Sequence, residues 1–390
     1  MQKNLALLAL LGLMQCQPAK KADQTQTDST ATTIPADTAM INSLLPDPET
    51  FGGDLNGKPV KLYILKNNTM QVALTNFGGR IVGIVVPDKA GKPTDIAVGF
   101  RSLADYQKPG GAFFGPIVGR FGNRIANGKF TLDGKAYQLE LNNNGNNLHS
   151  GPSGMHNAVW DVTKSDDHTL ALTYTAKDGE GGFPGNLTTA VTYTLTDDNA
   201  LKIEYTATTD KTTPVNLTSH GFFNLNGEGS GTISNHALLI NADRYSAVNA
   251  GLIPQGEPVT VAGTPFDFRQ KTAIGKRIDE PNDQLKFGGG YDHNFVLRPG
   301  DGLQKAVEIT GDVSGITMTV LTTEPAMQFY GGNFFAAKDV TKSGKAVGKR
   351  EAFALEAQHY PDSPNHPTYP NTILKPGQTY RQTTVYQFSK

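Results

Sequence analysis

The sequence predicts an all-β protein, and three observations support this class. Segments rich in Val, Thr, Tyr and Ile alternate apolar with polar residues, which is the period of a strand with one buried face. Turn-forming residues separate these segments, and 43 of the 390 residues are glycine, above the usual share of about 7%. Helical patterns are short. Many strands with turn-rich connections favour a sandwich or a barrel, and propensity alone leaves both open.

Six segments carry the strand pattern most clearly. In chain order they are residues 72–75, 80–86, 170–176, 189–195, 201–206 and 316–321. The fourth and fifth segments flank residues 196–200 and form the clearest hairpin. Further turns are expected at Asp133-Gly134 and at 312–315, and residues 102–107 are expected to form one or two helical turns.

The composition excludes several classes of protein. With 35 basic and 36 acidic side chains the net charge is −1, so no bulk attraction to nucleic acid is expected. A single cysteine makes no intramolecular disulfide. At 37% hydrophobic and 18% charged residues, the chain is too apolar for a disordered protein and too polar for a multi-span membrane protein. These exclusions leave a globular protein with a large core.

The first sixteen residues are predicted to be an export signal rather than part of the fold. Lys3 provides the positive start, and residues 5–14 form an apolar run too short to span a bilayer. The sequence LMQC at 13–16 resembles a bacterial lipobox, although Gln15 is larger than the usual residue there, and Cys16 would then be lipidated. An ordinary signal peptide with an incidental cysteine is the alternative. The expected location is the bacterial cell envelope, either free in the periplasm or as an outer-membrane lipoprotein.

Residues 17–45 are predicted to be a disordered tether, because Thr, Ala, Asp and Gln dominate them and bury little apolar area. Hydrophobic runs separated by glycine begin at about residue 46. No internal repeat or second linker follows, so residues 46–390 are expected to form one domain.

Several kinds of active site find no support in the sequence. No HExxH or other close ligand spacing points to a metal site, and no GxSxG, P-loop or dinucleotide motif occurs. The only thiol belongs to the predicted export signal, which excludes a cysteine nucleophile. Carboxylates are plentiful but no calcium-loop motif is evident, which leaves a structural calcium open.

One strand-like run, residues 351–358, places an acidic side chain in a distinctive setting. In alternating register Phe353, Leu355 and Ala357 share one face and would join the core, whereas Glu356 lies on the other face. Desolvation there would raise its pKa from about 4.3, which suits proton transfer near neutral pH. An exposed glutamate on an edge strand is the alternative.

Other polar residues are ambiguous when each is considered alone. His220 follows the strand-like residues 214–217 and could simply cap a strand end. Arg124 could be a surface arginine, and Asp292 could be a turn residue bonded to its own backbone. Taken singly, these residues indicate only a polar cleft in an all-β protein.

Taken together and in order, these segments resemble the aldose 1-epimerase family, the galactose mutarotases. The resemblance extends from about residue 52 to the C-terminus. The matching motifs are GRFGNRI (119–125), NNLHSG (146–151), TSHGFFNL (218–225), YDHNF (291–295), MQFYGGN (327–333), LEAQHY (355–360), PDSPNHPTYP (361–370) and LKPGQTY (374–380). The resemblance implies a large antiparallel β-sandwich with its active site in a cleft on the concave face.

The resemblance also implies roles for individual residues. Glu356 is the expected general base and His220 the expected general acid in interconverting the α and β anomers of a free hexose. The expected sugar-binding residues are Asn123, Arg124, His149, Phe222, Asp292 and Gln328. No metal or redox cofactor is required, because the reaction needs only proton transfers worth about 10²–10⁴ each. A monosaccharide substrate and a monomer are expected, with no nucleic acid, and with the membrane reached only through a lipid on Cys16. Reference pKa values of about 6.5 for histidine and 4.3 for glutamate allow protonated His220 beside ionised Glu356.

Two departures from the family pattern concern sugar preference. Phe222 stands where tyrosine is common, and Ser150 replaces a common glycine and is expected at the cleft rim. Two other functions stay open on the residues alone. A glycoside hydrolase or lyase on a related sandwich would use a second carboxylate, such as Asp292. A sugar-binding module would need aromatic and polar ligands but no poised base.

Overall fold

Antiparallel strands are the main secondary structure of the protein, whose computed structural model describes residues 44–390. Its strands are β1 (Gly53–Leu55), β2 (Lys58–Val60), β3 (Leu62–Lys66), β4 (Gln71–Thr75), β5 (Arg80–Pro87), β6 (Pro93–Asp95), β7 (Ile117–Val118), β8 (Arg124–Ile125), β9 (Lys129–Leu132), β10 (Lys135–Gln138), β11 (Asn147–Leu148), β12 (Asp161–Ser165), β13 (Thr169–Ala176), β14 (Leu187–Leu195), β15 (Ala200–Thr209), β16 (Thr213–Pro214), β17 (Thr218–Ser219), β18 (Phe222–Phe223), β19 (Ala237–Ile240), β20 (Ala242–Tyr245), β21 (Val259–Thr260), β22 (Thr272–Ala273), β23 (Asp292–Leu297), β24 (Gln304–Thr310), β25 (Thr317–Thr322), β26 (Ala326–Tyr330), β27 (Phe353–Gln358), β28 (Ile373–Leu374) and β29 (Tyr380–Ser389).

Helices in the described part of the chain are few and short. The α-helices are α1 (Pro48–Phe51), α2 (Leu103–Tyr106) and α3 (Asp283–Gly288), and the 3₁₀ turns are Ala126–Gly128, Met155–Asn157, Glu180–Gly182, Ile274–Lys276 and Ser363–Asn365. Helix α2 is the turn predicted at 102–107. The Ser102 side chain caps it by accepting a hydrogen bond from the backbone N–H of Asp105. Within residues 44–390, no helix has the length and apolar character needed to cross a membrane.

Two large sheets dominate the architecture. The first has nine strands in the order β12-β13-β14-β15-β29-β25-β24-β19-β22, and the second has six in the order β18-β27-β26-β23-β20-β21. A four-stranded sheet, β3-β4-β5-β6, and five two-stranded pairs complete the described fold. The all-β prediction is confirmed, and the sandwich rather than the barrel is the observed arrangement.

All six predicted strands are present, and the predicted hairpin is the pair β14–β15, in which Leu195 pairs with Leu201. The strand-like run at 214–217 is different. It is broken into β16 and β17, because its central residues leave the ladder: the backbone N–H of Val215 donates to Thr372 and that of Asn216 to Arg120.

The core lies between the nine-stranded and six-stranded sheets. On β27, Phe353, Leu355 and Ala357 point into this core, as the alternation predicts. Tyr386 of β29 packs on the same side, and its hydroxyl donates to the carbonyl of Leu355 at 3.4 Å. The shared apolar core fixes the register of β27, because a slip by one residue would move Glu356 into it.

The outer face of the six-stranded sheet carries the polar side chains that matter for function. Cross-strand pairing aligns Phe222, Ala354, Tyr330 and Asp292 in one row across β18, β27, β26 and β23. A second row, two residues away from the first on β27, β26 and β23, contains Glu356, Gln328 and Asn294. The sheet register therefore brings together residues that are up to 134 positions apart, since Phe222 and Glu356 lie at neighbouring places on one face.

The folded domain begins slightly earlier than predicted. Leu45 is buried in an apolar cluster with Phe51 and Val85, and Leu44 packs against that cluster, so the last two residues of the predicted tether belong to the fold. The predicted export signal at 1–16, with Cys16, and the tether up to residue 43 lie outside the described residues.

Candidate active site

A cavity of about 460 Å³ opens on the outer face of the six-stranded sheet. Seven of the eight residues that the sequence suggests for the site line it: Asn123, Arg124, His149, His220, Phe222, Asp292 and Glu356. They come from five separate parts of the chain, and the eighth residue, Gln328, is buried next to Asp292.

Glu356 and His220 form the centre of the cavity. His220 Nε2 lies 3.5 Å from Glu356 Oε1, and the two side chains are only 7% and 3% exposed. Glu356 lies on β27, an interior strand of its sheet, so the edge-strand alternative is wrong. Its second oxygen, Oε2, is buried and finds no hydrogen-bond partner within residues 44–390. A buried carboxylate oxygen that lines a cavity without a partner is available to a ligand hydroxyl.

Burial shifts the two pKa values in opposite directions. Desolvation raises the pKa of Glu356 to about 8; the Asp292 carboxylate raises it further and the Arg124 guanidinium opposes the rise. Desolvation lowers the pKa of His220 to about 4, partly offset by nearby backbone carbonyls and reinforced by Arg80. The direction for Glu356 is as predicted. Both shifts run against the protonation states that the reference values suggest, since they favour a proton on Glu356 over one on His220.

His149 is held in one tautomer by the loop that precedes β8. Its Nδ1 accepts the backbone N–H of Asn123 at 3.0 Å, and its own backbone N–H donates to the Asn123 carbonyl at 3.0 Å. Burial holds the pKa of His149 well below its usual value, so the ring is neutral and its proton lies on Nε2. His149 therefore offers the cavity a hydrogen-bond donor.

A chain of contacts beside the Glu356–His220 pair connects Arg124, Asp292 and Gln328. Arg124 Nη2 lies 3.8 Å from Asp292 Oδ2, and both side chains are about nine-tenths buried. Gln328 Nε2 donates to Asp292 Oδ1 at 2.7 Å. Because it is buried against Asp292 and does not line the cavity, Gln328 differs from the direct sugar ligand that the resemblance implies.

Several single-residue expectations are wrong, for one reason. Arg124 is buried, not a surface arginine, because β8 pairs with β11 and its guanidinium lies against Asp292 of β23. Asp292 begins β23 and pairs with Tyr330 rather than forming a turn. Ser150 is not on the rim: its buried hydroxyl accepts the Phe121 N–H at 2.8 Å. In each case a long-range contact that leaves no local sequence signal decides the position.

The cavity also contains residues that the sequence did not single out. Five of them are aromatic: Phe113, Phe114, Tyr330, Phe334 and Phe335. The Phe113 ring packs at 4.8 Å from His149 and 6.0 Å from His220. Asn143 accepts from Arg124 Nε at 3.2 Å. Phe113 and Phe114 lie a few residues before the first motif, and Asn143 lies a few residues before the second, so proximity to the motifs was the available signal.

A metal ion fits this site poorly. Among the described residues, His149, His220 and Glu356 place potential ligand atoms within 4.8 Å of one another. A metal needs a free lone pair on each histidine. The backbone N–H of Asn123 already occupies the lone pair on Nδ1 of His149, and Nε2 carries the proton. To bind a metal through Nδ1, the imidazole would have to break this hydrogen bond. To bind one through Nε2, it would have to lose the Nε2 proton and become an imidazolate.

An antiparallel β-sandwich whose cavity holds a buried carboxylate against an imidazole, surrounded by hydrogen-bonding side chains, defines an enzyme that moves protons on a small polar substrate. Comparison with known proteins gives the family. The family model described as Aldose 1-epimerase matches residues 61–387. Galactose mutarotase from Sus scrofa is 39% identical over 330 residues, covering 85% of this chain and 94% of the relative. Aldose 1-epimerase from Escherichia coli K12 is 40% identical over 337 residues, covering 85% and 96%.

Solved structures agree with the sequence relatives. A GalM/aldose epimerase homologue from C. elegans superposes with a TM-score of 0.79 at 30% identity, covering 85% of this chain and 99% of that one. Galactose 1-epimerase from Lactobacillus acidophilus gives a TM-score of 0.75 at 27% identity, covering 86% and 96%. The chain belongs to the aldose 1-epimerase family and is an isomerase.

Proposed function

We propose that this protein interconverts the α and β anomers of free hexoses such as glucose and galactose, with Glu356 as general base and His220 as general acid. The observation that carries this proposal is the 3.5 Å contact between the two groups at the centre of a cavity lined by hydrogen-bonding side chains. Names of the relatives refer to galactose and to aldoses, which supports a hexose as the substrate.

The reaction requires two coordinated proton transfers and no change of oxidation state. Glu356 takes the proton of the anomeric hydroxyl while His220 gives a proton to the ring oxygen, and the C1–O5 bond breaks to give the open-chain aldehyde. Rotation about C1–C2 presents the other face of the carbonyl. The same groups then work in reverse, so the ring closes as the other anomer and both residues return to their starting states.

The shared proton explains how buried groups serve this chemistry. Glu356 and His220 together hold one proton and no net charge, whether it lies on the carboxyl or on the imidazole. The reactive form has the proton on His220, and the Arg124 guanidinium favours it because a positive charge nearby lowers the pKa of Glu356. Substrate binding excludes water from the cavity, which strengthens the attraction between the Arg124 guanidinium and the Glu356 carboxylate.

The remaining polar residues are proposed to orient the sugar. Arg124 presents forked donors to adjacent hydroxyls, while Asp292 accepts from hydroxyls on the same side. His149 donates through Nε2, and Asn123 holds both the His149 ring and the Arg124 backbone N–H, to which its Oδ1 is bonded at 2.9 Å. Phe222 presents a ring 4.9 Å from His220 and no hydroxyl.

The proposal extends to cofactors, assembly and location. No cofactor is required, because both transfers use side chains of this chain. We also propose a monomer exported to the bacterial cell envelope, with a lipid on Cys16. The support is the apolar run at 5–14 that ends near the chain's single cysteine. Metabolic labelling with a palmitate analogue tests this, since label lost in Cys16→Ser is expected and label retained would contradict it.

The activity is tested by following optical rotation of freshly dissolved α-glucose, α-galactose and other aldoses. The expected result is faster approach to the anomeric equilibrium with catalytic amounts of enzyme. Release of new reducing ends from oligosaccharides would indicate a hydrolase, and tight sugar binding without acceleration would indicate a binding module.

A further inference from the structure

One wall of the cavity is built from two loops rather than from the sheet. The loop between β26 and β27 (331–352) provides Phe334 and Phe335, and the segment between β6 and β7 (96–116) provides Phe113 and Phe114. The rings of Phe114 and Phe335 meet at 5.6 Å. Long loops have many conformations of similar energy, so something must hold these two in place.

A buried lysine lies where the two loops meet. The Lys342 side chain, in the β26–β27 loop, is 1% exposed. Its Nζ lies 2.7 Å from Glu228 Oε2 and 3.3 Å from Asp95 Oδ2, and donates to the Ala97 carbonyl at 2.7 Å. Burying an ammonium costs several kcal/mol unless it is paired and hydrogen-bonded, and here both conditions are met.

The backbone around Lys342 is bonded to the 96–116 segment and to Glu228. Its N–H donates to the Gly99 carbonyl at 2.9 Å, and its carbonyl accepts from Arg101 Nε at 2.8 Å. The next residue, Ser343, donates its N–H to Glu228 Oε1 at 2.9 Å. Lys342 thus joins the β26–β27 loop to the start of the 96–116 segment through both its side chain and its backbone.

We propose that Lys342 is a positioning residue for sugar binding, which fixes the two loops that form the aromatic wall of the cavity. It touches neither Glu356 nor His220, and these lie on β27 and beside β18 in the sheet rather than on the loops. The proposal rests on the proposed function. Loosening the wall should weaken ground-state and transition-state binding alike, which raises KM and changes kcat little.

The primary test compares Lys342→Met with Lys345→Met. Lys345 is in the same loop and donates to the Gly229 carbonyl at 2.8 Å, but it is exposed. The expected result is a KM for galactose raised roughly tenfold or more in Lys342→Met, with kcat within about threefold of wild type. Lys345→Met should match wild type in both. A purely structural role would lower kcat through loss of folded enzyme and leave KM unchanged.

Two further variants cover the case in which Lys342→Met does not fold, because it leaves two buried carboxylates unpaired. Glu228→Gln keeps an oxygen that accepts the Ser343 N–H and leaves Lys342 and Asp95 as an ion pair of zero net charge. This variant should therefore fold, and the loss of the Lys342–Glu228 ion pair should raise KM severalfold. The triple variant Asp95→Asn, Glu228→Gln, Lys342→Met removes all three charges with little change of shape and should raise KM as the single lysine variant does.

The result that overturns the proposal is a wild-type KM in folded Glu228→Gln and in the triple variant, with wild-type enzyme active. Calorimetric titration of galactose in a Glu356→Gln background gives a second readout, because there the dissociation constant should rise by the same factor as KM. If wild-type enzyme does not accelerate mutarotation at all, the proposed function fails, and that outcome is distinct from failure of the Lys342 proposal.

Discussion

His220 Nε2 lies 3.5 Å from Glu356 Oε1 inside the protein, where the two side chains are 7% and 3% exposed. Burial disfavours the charged form of each group, raising the pKa of Glu356 and lowering that of His220. Their proximity has the opposite effect on the charged pair, because an imidazolium and a carboxylate this close attract strongly in a medium of low dielectric constant. We therefore expect the pair to hold one proton near neutral pH.

The first prediction concerns pH. The productive state of the Glu356–His220 pair holds one proton. This proton is lost as pH rises through the raised pKa of Glu356, about 8. A second proton binds as pH falls through the lowered pKa of His220, about 4. We therefore expect kcat/KM to be level between about pH 4 and 8 and to fall on either side. A pH–rate profile measures this. A decline centred near pH 6.5 would show that His220 titrates as an unperturbed histidine.

The second prediction is that Glu356→Gln stabilises the fold at alkaline pH while removing activity. The pKa of Glu356 is about 8 in the folded protein against 4.5 as reference, so the folded state binds this proton more tightly than the unfolded chain. Stability from this group is thus full below about pH 4.5 and is lost as pH rises to about 8. Glutamine is neutral throughout, and the gain in melting temperature should reach about 2 °C or more at pH 8 and vanish near pH 4.5.

Thermal unfolding at several pH values measures this difference. Glu204→Gln is the matched control, because its side chain on β15 is 44% exposed and the same change there should have little effect at any pH. A Glu356→Gln protein that is less stable than wild type at pH 8 would mean that the carboxylate contributes favourably to the fold.

The third prediction concerns the hydrogen bond by which Gln328 supports Asp292. Gln328→Met removes the 2.7 Å donor to Asp292 with little change of volume, and KM for galactose should rise roughly tenfold or more, since hydrogen bonds to charged groups contribute about 1.5–3 kcal/mol. Gln382→Met is the control: its Nε2 donates to the Ala357 carbonyl on the core side of β27. That variant should lose stability and keep its KM. Equal KM values in the two variants would remove Gln328 from the site.

The fourth prediction concerns metals. Because Asn123 fixes the tautomer of His149, we expect enzyme dialysed against EDTA to keep its full mutarotation rate. Loss of activity that Zn²⁺ or Ca²⁺ restores would contradict this, and a metal content of one per chain after extensive dialysis would do the same.

The sequence was most informative where local pattern decides structure. Alternation in residues 351–358 correctly divided Phe353, Leu355 and Ala357 from Glu356, because the side-chain period of a strand is two whatever its neighbours are. It could not tell that β27 lies inside a six-stranded sheet, since its partners β18 and β26 are chosen by contacts distant in the chain. The strand pattern alone therefore left the role of Glu356 ambiguous, and the order of the motifs along the chain indicated that role through the family resemblance.

The remaining errors have the same origin. Reference pKa values misjudged the pair because desolvation depends on the whole cavity, not on the residue type. Gln328 was grouped with the sugar ligands because the family resemblance implies that role, yet its amide donates to Asp292, a contact between β26 and β23 that no local pattern predicts. Lys342 has no local signal at all, since its partners Asp95 and Glu228 come from other parts of the chain.

The most direct test of the acid–base pair is polarimetry of α-galactose with wild-type enzyme, Glu356→Gln and His220→Asn. We expect each substitution to lower kcat by about 10²–10⁴ while galactose binding, measured by calorimetry, stays within about tenfold of wild type. A wild-type kcat in either folded variant would contradict the assignment of Glu356 and His220 as the groups that open and close the sugar ring.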